Sequence, residues 1–180
     1  MKNKNLNILL FGVSWALYHL IQNTRKIETK KILENILEQE LLALLDIFPK
    51  EKSTCHLLGL LYCYKTLPKY HESERYLKQA LKLSRQNKDH ARMLNCLGNL
   101  YYEMKNYNKG QIFYQQASDK TKYKGLPFLN LALTYEKLGD KKQALIAAKK
   151  AEKYLKQEKS LRHSPTTNEE LGRLIRRCSR

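Results

Sequence analysis

Histidine and cysteine, the residues of this chain that are most able to do chemistry, are scattered without catalytic or metal-binding spacing. The histidines are His19, His56, His71, His90 and His163, and the cysteines are Cys55, Cys63, Cys96 and Cys178. Cys55 and His56 are adjacent on a predicted helix, so their side chains diverge and cannot form a nucleophile–base pair. No glycine-rich phosphate loop, Cys-x-x-Cys, His-Glu-x-x-His or Gly-x-Ser-x-Gly motif occurs. We therefore predict that the protein is not an enzyme and has no metal site and no cofactor.

The composition favours a helical protein with an excess of positive charge. Among 180 residues there are only seven Gly and four Pro, and 42% are hydrophobic, which favours helices and excludes wholesale disorder. The 34 basic and 17 acidic side chains give a net charge of +17. Aromatic residues do not alternate with the basic ones as they do in base-stacking surfaces, which argues against nucleic-acid binding. A solvated basic surface explains the charge, and a basic RNA-binding repeat protein stays an alternative.

A pattern of a large residue, a leucine, a small residue and a tyrosine recurs three times along the chain. The copies are Cys55-x-x-Leu58-Gly59-x-x-Tyr62, Leu94-x-x-Leu97-Gly98-x-x-Tyr101 and Phe128-x-x-Leu131-Ala132-x-x-Tyr135. Each copy is followed by a second half that ends in an alanine, at Ala80, Ala117 and Ala151. The spacing from Gly98 to Ala132 is 34 residues, the period of tetratricopeptide repeats. We therefore predict an all-α solenoid of about three helix-turn-helix repeats, closed by an N-terminal hydrophobic helix and a C-terminal capping helix.

The repeat pattern also divides the chain into segments. We predict repeats at residues 52–90, 91–124 and 125–158, with turns at Leu67-Pro68, Asn106 and Gly139-Asp140. Residues 24–51 are predicted to form a basic juxtamembrane segment and a half-repeat helix that ends at Pro49. Residues 159–180 are predicted to form a basic linker and a short C-terminal helix, which a capping box at Thr167-x-x-Glu170 would begin.

The N-terminal residues 1–23 contain an uncharged apolar run, which predicts an uncleaved membrane anchor. Lys2 and Lys4 precede the run, Arg25 and Lys26 follow it, and no small-x-small cleavage pattern is present. The predicted anchor side chains are Leu6, Ile8, Leu9, Leu10, Phe11, Val13, Trp15, Leu17, Leu20 and Ile21. A helix that is apolar on all sides is buried either in lipid or in protein, so a cap packed on the solenoid is the alternative.

The first helix of each repeat is expected to line a concave face, where residues between the packing columns are available to a partner. The candidate groove residues are His56, Leu60, Tyr64, Arg92, Asn95, Asn99, Tyr102, Leu129, Leu133 and Glu136. A mixed face of leucines, tyrosines and asparagines suits an extended segment or a helix of a protein partner. We therefore predict a protein–protein interaction scaffold, with a soluble adaptor or regulator as the alternative.

The order of these features resembles the membrane-anchored tetratricopeptide assembly factors for photosystem I, which occur in cyanobacteria and in the plastids of red algae. The residues that carry the resemblance are Leu6–Ile21 with Arg25-Lys26, Leu97–Tyr102 and Leu129–Lys137. The resemblance implies a role in assembling or stabilising photosystem I, with its subunits or assembly intermediates as partners and the membrane contacted through the N-terminal helix. It also implies a thylakoid location with the repeats on the stromal or cytoplasmic side, the soluble cytoplasm or stroma being the alternative.

Overall fold

The computed structural model describes the backbone of residues 2–158 and 165–179, and the side chains of residues 11–158 and 169–179. In that part of the chain the backbone forms nine α-helices and no strand. The helices are α1 (Lys2–Asn23), α2 (Ile27–Ile47), α3 (Lys52–Tyr64), α4 (Tyr70–Leu83), α5 (Asn87–Glu103), α6 (Tyr107–Lys120), α7 (Gly125–Lys137), α8 (Lys141–Gln157) and α9 (Pro165–Cys178). The predicted all-α fold of helical repeats is confirmed.

The chain divides into two compact units, and the same packing scheme is found inside each. The first unit is Met1–Ser84 and the second is Arg85–Arg180. In both units the closest helix pairs are the hairpins that the repeat pattern predicts, α3 with α4, α5 with α6 and α7 with α8. The next helix then packs on both members of a hairpin: α3 contacts α1 and α2, α7 contacts α5 and α6, and α9 contacts α7 and α8.

Small residues let the two helices of a hairpin approach closely. A Cβ atom added at Gly59 would lie 2.6 Å from the Leu77 side chain, and one added at Gly98 would lie 2.5 Å from the ring of Tyr114. On the second helices, the repeat alanines Ala80, Ala117 and Ala151 are fully buried. These contacts explain why the repeat pattern has a small residue at these positions, because no larger side chain fits between the two helices.

Aromatic pairs recur where the two helices of each hairpin meet. Tyr62 stacks on Tyr76 at 5.7 Å, and Tyr101 on Phe113 at 5.3 Å. The third hairpin has Phe128 on Tyr154 at 5.5 Å. Such offset stacks add to the energy of apolar burial and keep the ring positions fixed.

The turns between hairpin helices contain the residues that their backbone requires. The Asn106 side chain accepts a hydrogen bond from the Lys109 N–H at 3.3 Å, which caps α6. Asp140 caps α8 in the same way, accepting from the Gln143 N–H at 2.9 Å. Gly139 precedes it with φ +80°, a conformation that side chains disfavour and that ends α7.

The N-terminal helix packs on the repeats. No helix within the described residues combines the length and the hydrophobicity that crossing a membrane requires. Ser14, Tyr18 and Ile21 are buried, and Ile21 belongs to a core cluster with Leu37 of α2 and Leu57 of α3. The predicted anchor residues Phe11 and Leu17 pack against this cluster, while Val13, Trp15 and Leu20 are exposed. The alternative of a cap on the repeats therefore describes the second half of α1; the side chains of Leu6, Ile8, Leu9 and Leu10 lie outside the described residues.

The C-terminal helix buries an apolar edge against the last repeat, as a capping helix does. Leu171 and Leu174 lie in one core cluster with Leu131 and Leu155. The helix begins at Pro165, two residues before the predicted cap at Thr167, whose side chain lies outside the described residues.

Candidate functional site

Three asparagines form a hydrogen-bonded network on the face that α5 and α7 share in the second unit. The side-chain nitrogen of Asn130 donates to the Oδ1 atom of Asn95 at 3.0 Å and to that of Asn99 at 3.2 Å. The Tyr114 hydroxyl donates to the same Asn99 oxygen at 2.9 Å. The Thr134 hydroxyl donates to the backbone oxygen of Asn130 at 2.7 Å, one turn along α7.

The network determines which polar atoms face outward. The side-chain oxygen of Asn95 and that of Asn99 accept hydrogen bonds within the network, and the side-chain nitrogen of Asn130 donates two of them. An asparagine amide has two donors and an acceptor oxygen, so the Asn95 and Asn99 nitrogens and the Asn130 oxygen are the atoms left to interact with a ligand. Two donors and one acceptor on half-buried side chains match the carbonyl and N–H groups of a peptide backbone.

A cleft of about 350 Å³ lies at the N-terminal ends of α5 and α7, next to Asn95. Its apolar wall is formed by Leu126 and Pro127, and Tyr123 lies beside them. The Lys88 ammonium group lies 5.4 Å from the centre of the Tyr123 ring, and that of Lys122 lies 5.2 Å from it. The cleft therefore offers a place for an apolar side chain with cationic groups at its edge.

Arg92, a predicted groove residue, is exposed at this cleft and pairs with Asp89 at 3.4 Å. Because the pair is exposed and the distance is long, it holds the guanidinium group weakly. Arg92 is therefore available to a carboxylate of a partner.

The opposite end of the face is closed by the C-terminal helix. Arg177 of α9 donates two hydrogen bonds to the Glu136 carboxylate, from Nε at 2.7 Å and from Nη2 at 2.9 Å. The hydrogen bonds from Arg177 hold the pKa of Glu136 below its ordinary value. Nearby, burial raises the pKa of the Tyr102 hydroxyl, and its ring contacts the Tyr107 ring edge-on at 5.3 Å. Glu136 is thus already paired within the chain.

Two predicted groove residues of α7 belong to the core or pack against it instead. Leu129 is only 4% exposed and shares a core cluster with Leu171 and Leu174 of α9, and Leu133 packs against the same cluster. The reason is that α9 packs where the first helix of a following repeat would lie. The α9 helix therefore covers the α7 side chains that point toward it.

The first unit contains the other three predicted groove residues. His56 is 6% exposed and therefore offers almost no surface to a partner. Leu60 is half-buried and packs against the cluster that includes Tyr18 and Ile21 of α1. Tyr64, the last residue of α3, is also half-buried. Within this unit, the N-terminal helices thus cover part of the surface that the sequence predicted to bind a partner.

Sequence reasoning missed Asn130 and the ion pairs between helices. One repeat period of 34 residues after Asn95 and Asn99 come Leu129 and Leu133, which the sequence analysis therefore predicted as groove residues. The structure brings Asn130 to that face instead. In the first unit, Glu38 of α2 accepts hydrogen bonds from Tyr62 at 2.9 Å and from Lys65 at 2.6 Å. The sequence did contain one signal for Asn130, which is a polar residue between the apolar residues Leu129 and Leu131.

Two buried cysteines are poorly suited to nucleophilic chemistry. Burial raises the pKa of the Cys55 thiol to about 11 and that of Cys96 to about 12, so neither is a nucleophile at neutral pH. Among residues 11–158 and 169–179, whose side chains the structure describes, no group of three or more His, Cys, Asp or Glu side chains could hold a metal ion.

Comparison with known proteins supports the repeat fold. The tetratricopeptide repeat profile matches residues 53–87, 91–119 and 128–156, which together make up more than half of the chain. Among solved structures, PilF of Pseudomonas aeruginosa is similar, with a TM-score of 0.70 and 21% identity over 98% of this chain and 71% of that one. BtubC (BKLC) from P. vanneervenii has a TM-score of 0.64 and 19% identity over 88% of this chain and 68% of that one. At these identities the likeness shows the fold alone. No curated protein sequence matches the chain.

Proposed function

Because the chain belongs to the tetratricopeptide repeat family, we propose that it is a non-enzymatic interaction scaffold that holds an extended segment of a partner protein on the face of α5 and α7. The observation that carries this proposal is the asparagine network, which directs two amide donors and one acceptor outward beside an apolar cleft. An extended backbone offers matching groups, and one of its side chains fits between Leu126 and Tyr123. Arg92 and Lys88 favour an acidic residue in the same segment.

The proposal is tested by crosslinking at the cleft. A photoreactive amino acid is placed at Leu126, which lines the cleft, and in a control chain at Ile146, which is about equally exposed on α8. We expect a discrete protein adduct from position 126 and not from position 146. Equal crosslinking from both positions, or none from position 126, contradicts the proposal.

A finer proposal concerns the partner and the location. From the resemblance at Leu97–Tyr102 and Leu129–Lys137, we infer that the partner belongs to a membrane complex, photosystem I being the one that the resemblance implies. We also infer that the repeats lie on the stromal or cytoplasmic side of the thylakoid membrane. One structural observation supports contact with lipid: Val13 and Leu20 are exposed on α1, and the cationic Arg25 and Lys26 follow. A helix with such a face can lie in the headgroup region without crossing it.

Membrane fractionation tests this finer proposal independently of the groove. We expect the wild-type chain to sediment with membranes and the double variant Val13→Glu/Leu20→Glu to be released. The matched control, Ile112→Glu/Ile146→Glu, changes two exposed isoleucines of the second unit and should stay bound. Photosystem I at normal abundance in a strain without the protein would contradict the assignment to that complex.

A further inference from the structure

The outward side of α2 has an apolar stripe that nothing in the first unit covers among the described residues. Ile32, Ile36 and Ile47 are 61%, 47% and 65% exposed, and Ala43 is exposed with them. At 3.6 residues per turn, these four side chains lie within an arc of about 60° on the helix. A shallow depression of about 660 Å³ follows the stripe from Asn35 to Ile47. Single exposed apolar residues are ordinary, but a row over four turns marks an interaction surface.

The stripe is symmetric about the point between Gln39 and Glu40. Ile32 and Ile47 are equally far from that point, and so are Ile36 and Ala43. We propose that this face binds a second copy of the chain, with the two α2 helices packed antiparallel. A two-fold axis then places one copy's Ile32 against the other's Ile47, and Ile36 against Ala43, so each contact occurs twice.

The side chains on this face are complementary in size. The small Ala43 leaves room for the larger Ile36 of the second copy, which is how antiparallel helices interdigitate. The stripe spans about 22 Å along the helix. An interface of this size belongs to the small, weak class, so we expect a reversible dimer of micromolar affinity.

The centre of the interface contains one unfavourable feature. The two-fold axis brings Glu40 of one copy beside Glu40 of the other, on the edge of the stripe. Like charges side by side oppose association, and this predicts that Glu40→Gln strengthens the dimer. If the stripe instead bound a partner of different sequence, Glu40→Gln would not change the dissociation constant for self-association.

Sedimentation velocity of the full chain over a wide range of concentrations tests the proposal. We expect a reversible monomer–dimer equilibrium for the wild type, and Ile36→Glu should raise the dissociation constant by about tenfold or more. Because Ile36 is half exposed, this variant should fold, which circular dichroism checks. Ile112→Glu, at an equally exposed isoleucine of α6, is the matched control and should leave the constant unchanged. A wild-type chain that stays monomeric at every concentration overturns the proposal.

Disulfide trapping tests the antiparallel register. The native cysteines are all buried, so a cysteine introduced on the stripe reacts first. We expect a mixture of Ile36→Cys and Ala43→Cys chains to form linked dimers faster than either chain forms them alone. Faster linking of Ile36→Cys chains with one another would indicate a parallel arrangement and would overturn the proposed interface.

Discussion

The two units use the same packing scheme but fasten their outer helices with different interactions. In the first unit, α2 buries leucines such as Leu37 and Leu41, and two carboxylates also hold it to α3 and the α3–α4 turn. Glu34 accepts from the Thr66 N–H at 2.8 Å, and Glu38 accepts from Tyr62, Lys65 and Lys69. In the second unit, α9 is held by buried leucines and by the Arg177–Glu136 pair, which is exposed. The first unit buries both members of one ion pair, since the side chains of Lys65 and Glu38 are 8% and 13% exposed, whereas those of Arg177 and Glu136 are 52% and 25% exposed.

From Gly59 to Ala80 the first repeat spans 21 residues, where the corresponding spans of the other two repeats have 19, and the difference between the units explains these two extra residues. They lie around Thr66-Leu67-Pro68, in the turn that receives Glu34 and Glu38. The longer turn supplies a backbone N–H and two lysines to α2. The other two hairpins have short turns capped by Asn106 and Asp140 and make no comparable contact within the described residues. An insertion that looks like an irregularity in the sequence is therefore a docking element.

The largest effect is expected from breaking the first fastening. Lys65 has a side chain only 8% exposed and lies 2.6 Å from Glu38. Glu38→Ala leaves this ammonium group buried without its partner, so we expect a loss of about 3 kcal/mol in the free energy of unfolding. Urea denaturation measures it. A loss no larger than that of an exposed pair would mean that the cluster does not fasten α2.

A smaller loss is expected at the close approach inside the second unit. Gly98→Ala places a methyl group 2.5 Å from the Tyr114 ring, which its hydrogen bond to Asn99 holds in place. We expect a loss of about 2 kcal/mol from overpacking. Gly12→Ala is the control, because a Cβ there meets nothing within 4 Å and should stabilise the helix slightly. Thermal unfolding of both variants should therefore shift in opposite directions.

A low pH should selectively weaken the contacts that Glu38 makes with Tyr62, Lys65 and Lys69 in the first unit. Burial alone would raise the pKa of Glu38, but hydrogen bonds from Lys65, Tyr62 and Lys69 outweigh it and lower the pKa below its ordinary value of 4.5. A carboxyl group with a lowered pKa stabilises the fold above its unfolded pKa, and this stability is lost as pH falls through the folded pKa. The difference in Tm between wild type and Glu38→Gln should therefore shrink as the pH falls below the ordinary pKa of Glu38 and through its lowered pKa in the fold. Glu103→Gln, at an exposed carboxylate on α5, is the matched control.

The smallest effect is expected from the exposed pair of the second unit. Glu136→Ala removes the partner of Arg177, which solvent can still hydrate, so we expect a loss of about 0.5 kcal/mol. The loss should shrink further in high salt, whereas that of Glu38→Ala should change little. Equal losses at Glu38 and Glu136 would remove the distinction between the two fastenings.

The repeats could be predicted because their signal is local. The small residues at Gly59 and Gly98, the alanines that face them and the turn residues Asn106 and Gly139 each act within one hairpin. Hydrophobic periodicity alone could not tell whether α1 is buried in lipid or in protein, since both environments favour the same residues. Only the structure shows that Tyr18 and Ile21 fit against α2 and α3.

The candidate site was predicted less completely because it depends on contacts between helices. The pattern of the second repeat predicted Asn95 and Asn99 as groove residues. Applying the same positions 34 residues later selected Leu129 in place of Asn130. Leu129 is buried because α9 covers α7, and the pairing of Arg177 with Glu136 joins positions 41 residues apart. Neither contact follows from the repeat pattern, which ends before α9 begins.

The most direct test of the account is the affinity of Asn99→Asp for the partner that crosslinking at Leu126 identifies. The substitution keeps the Oδ1 atom that accepts from Tyr114 and Asn130, but it removes the outward amide donor. Titration calorimetry should show affinity reduced by about tenfold, with Tm nearly unchanged. The control Asn108→Asp, which makes the same charge change at an exposed position of α6, should bind as the wild type does. Unchanged affinity in Asn99→Asp would contradict the claim that the asparagine network holds the partner.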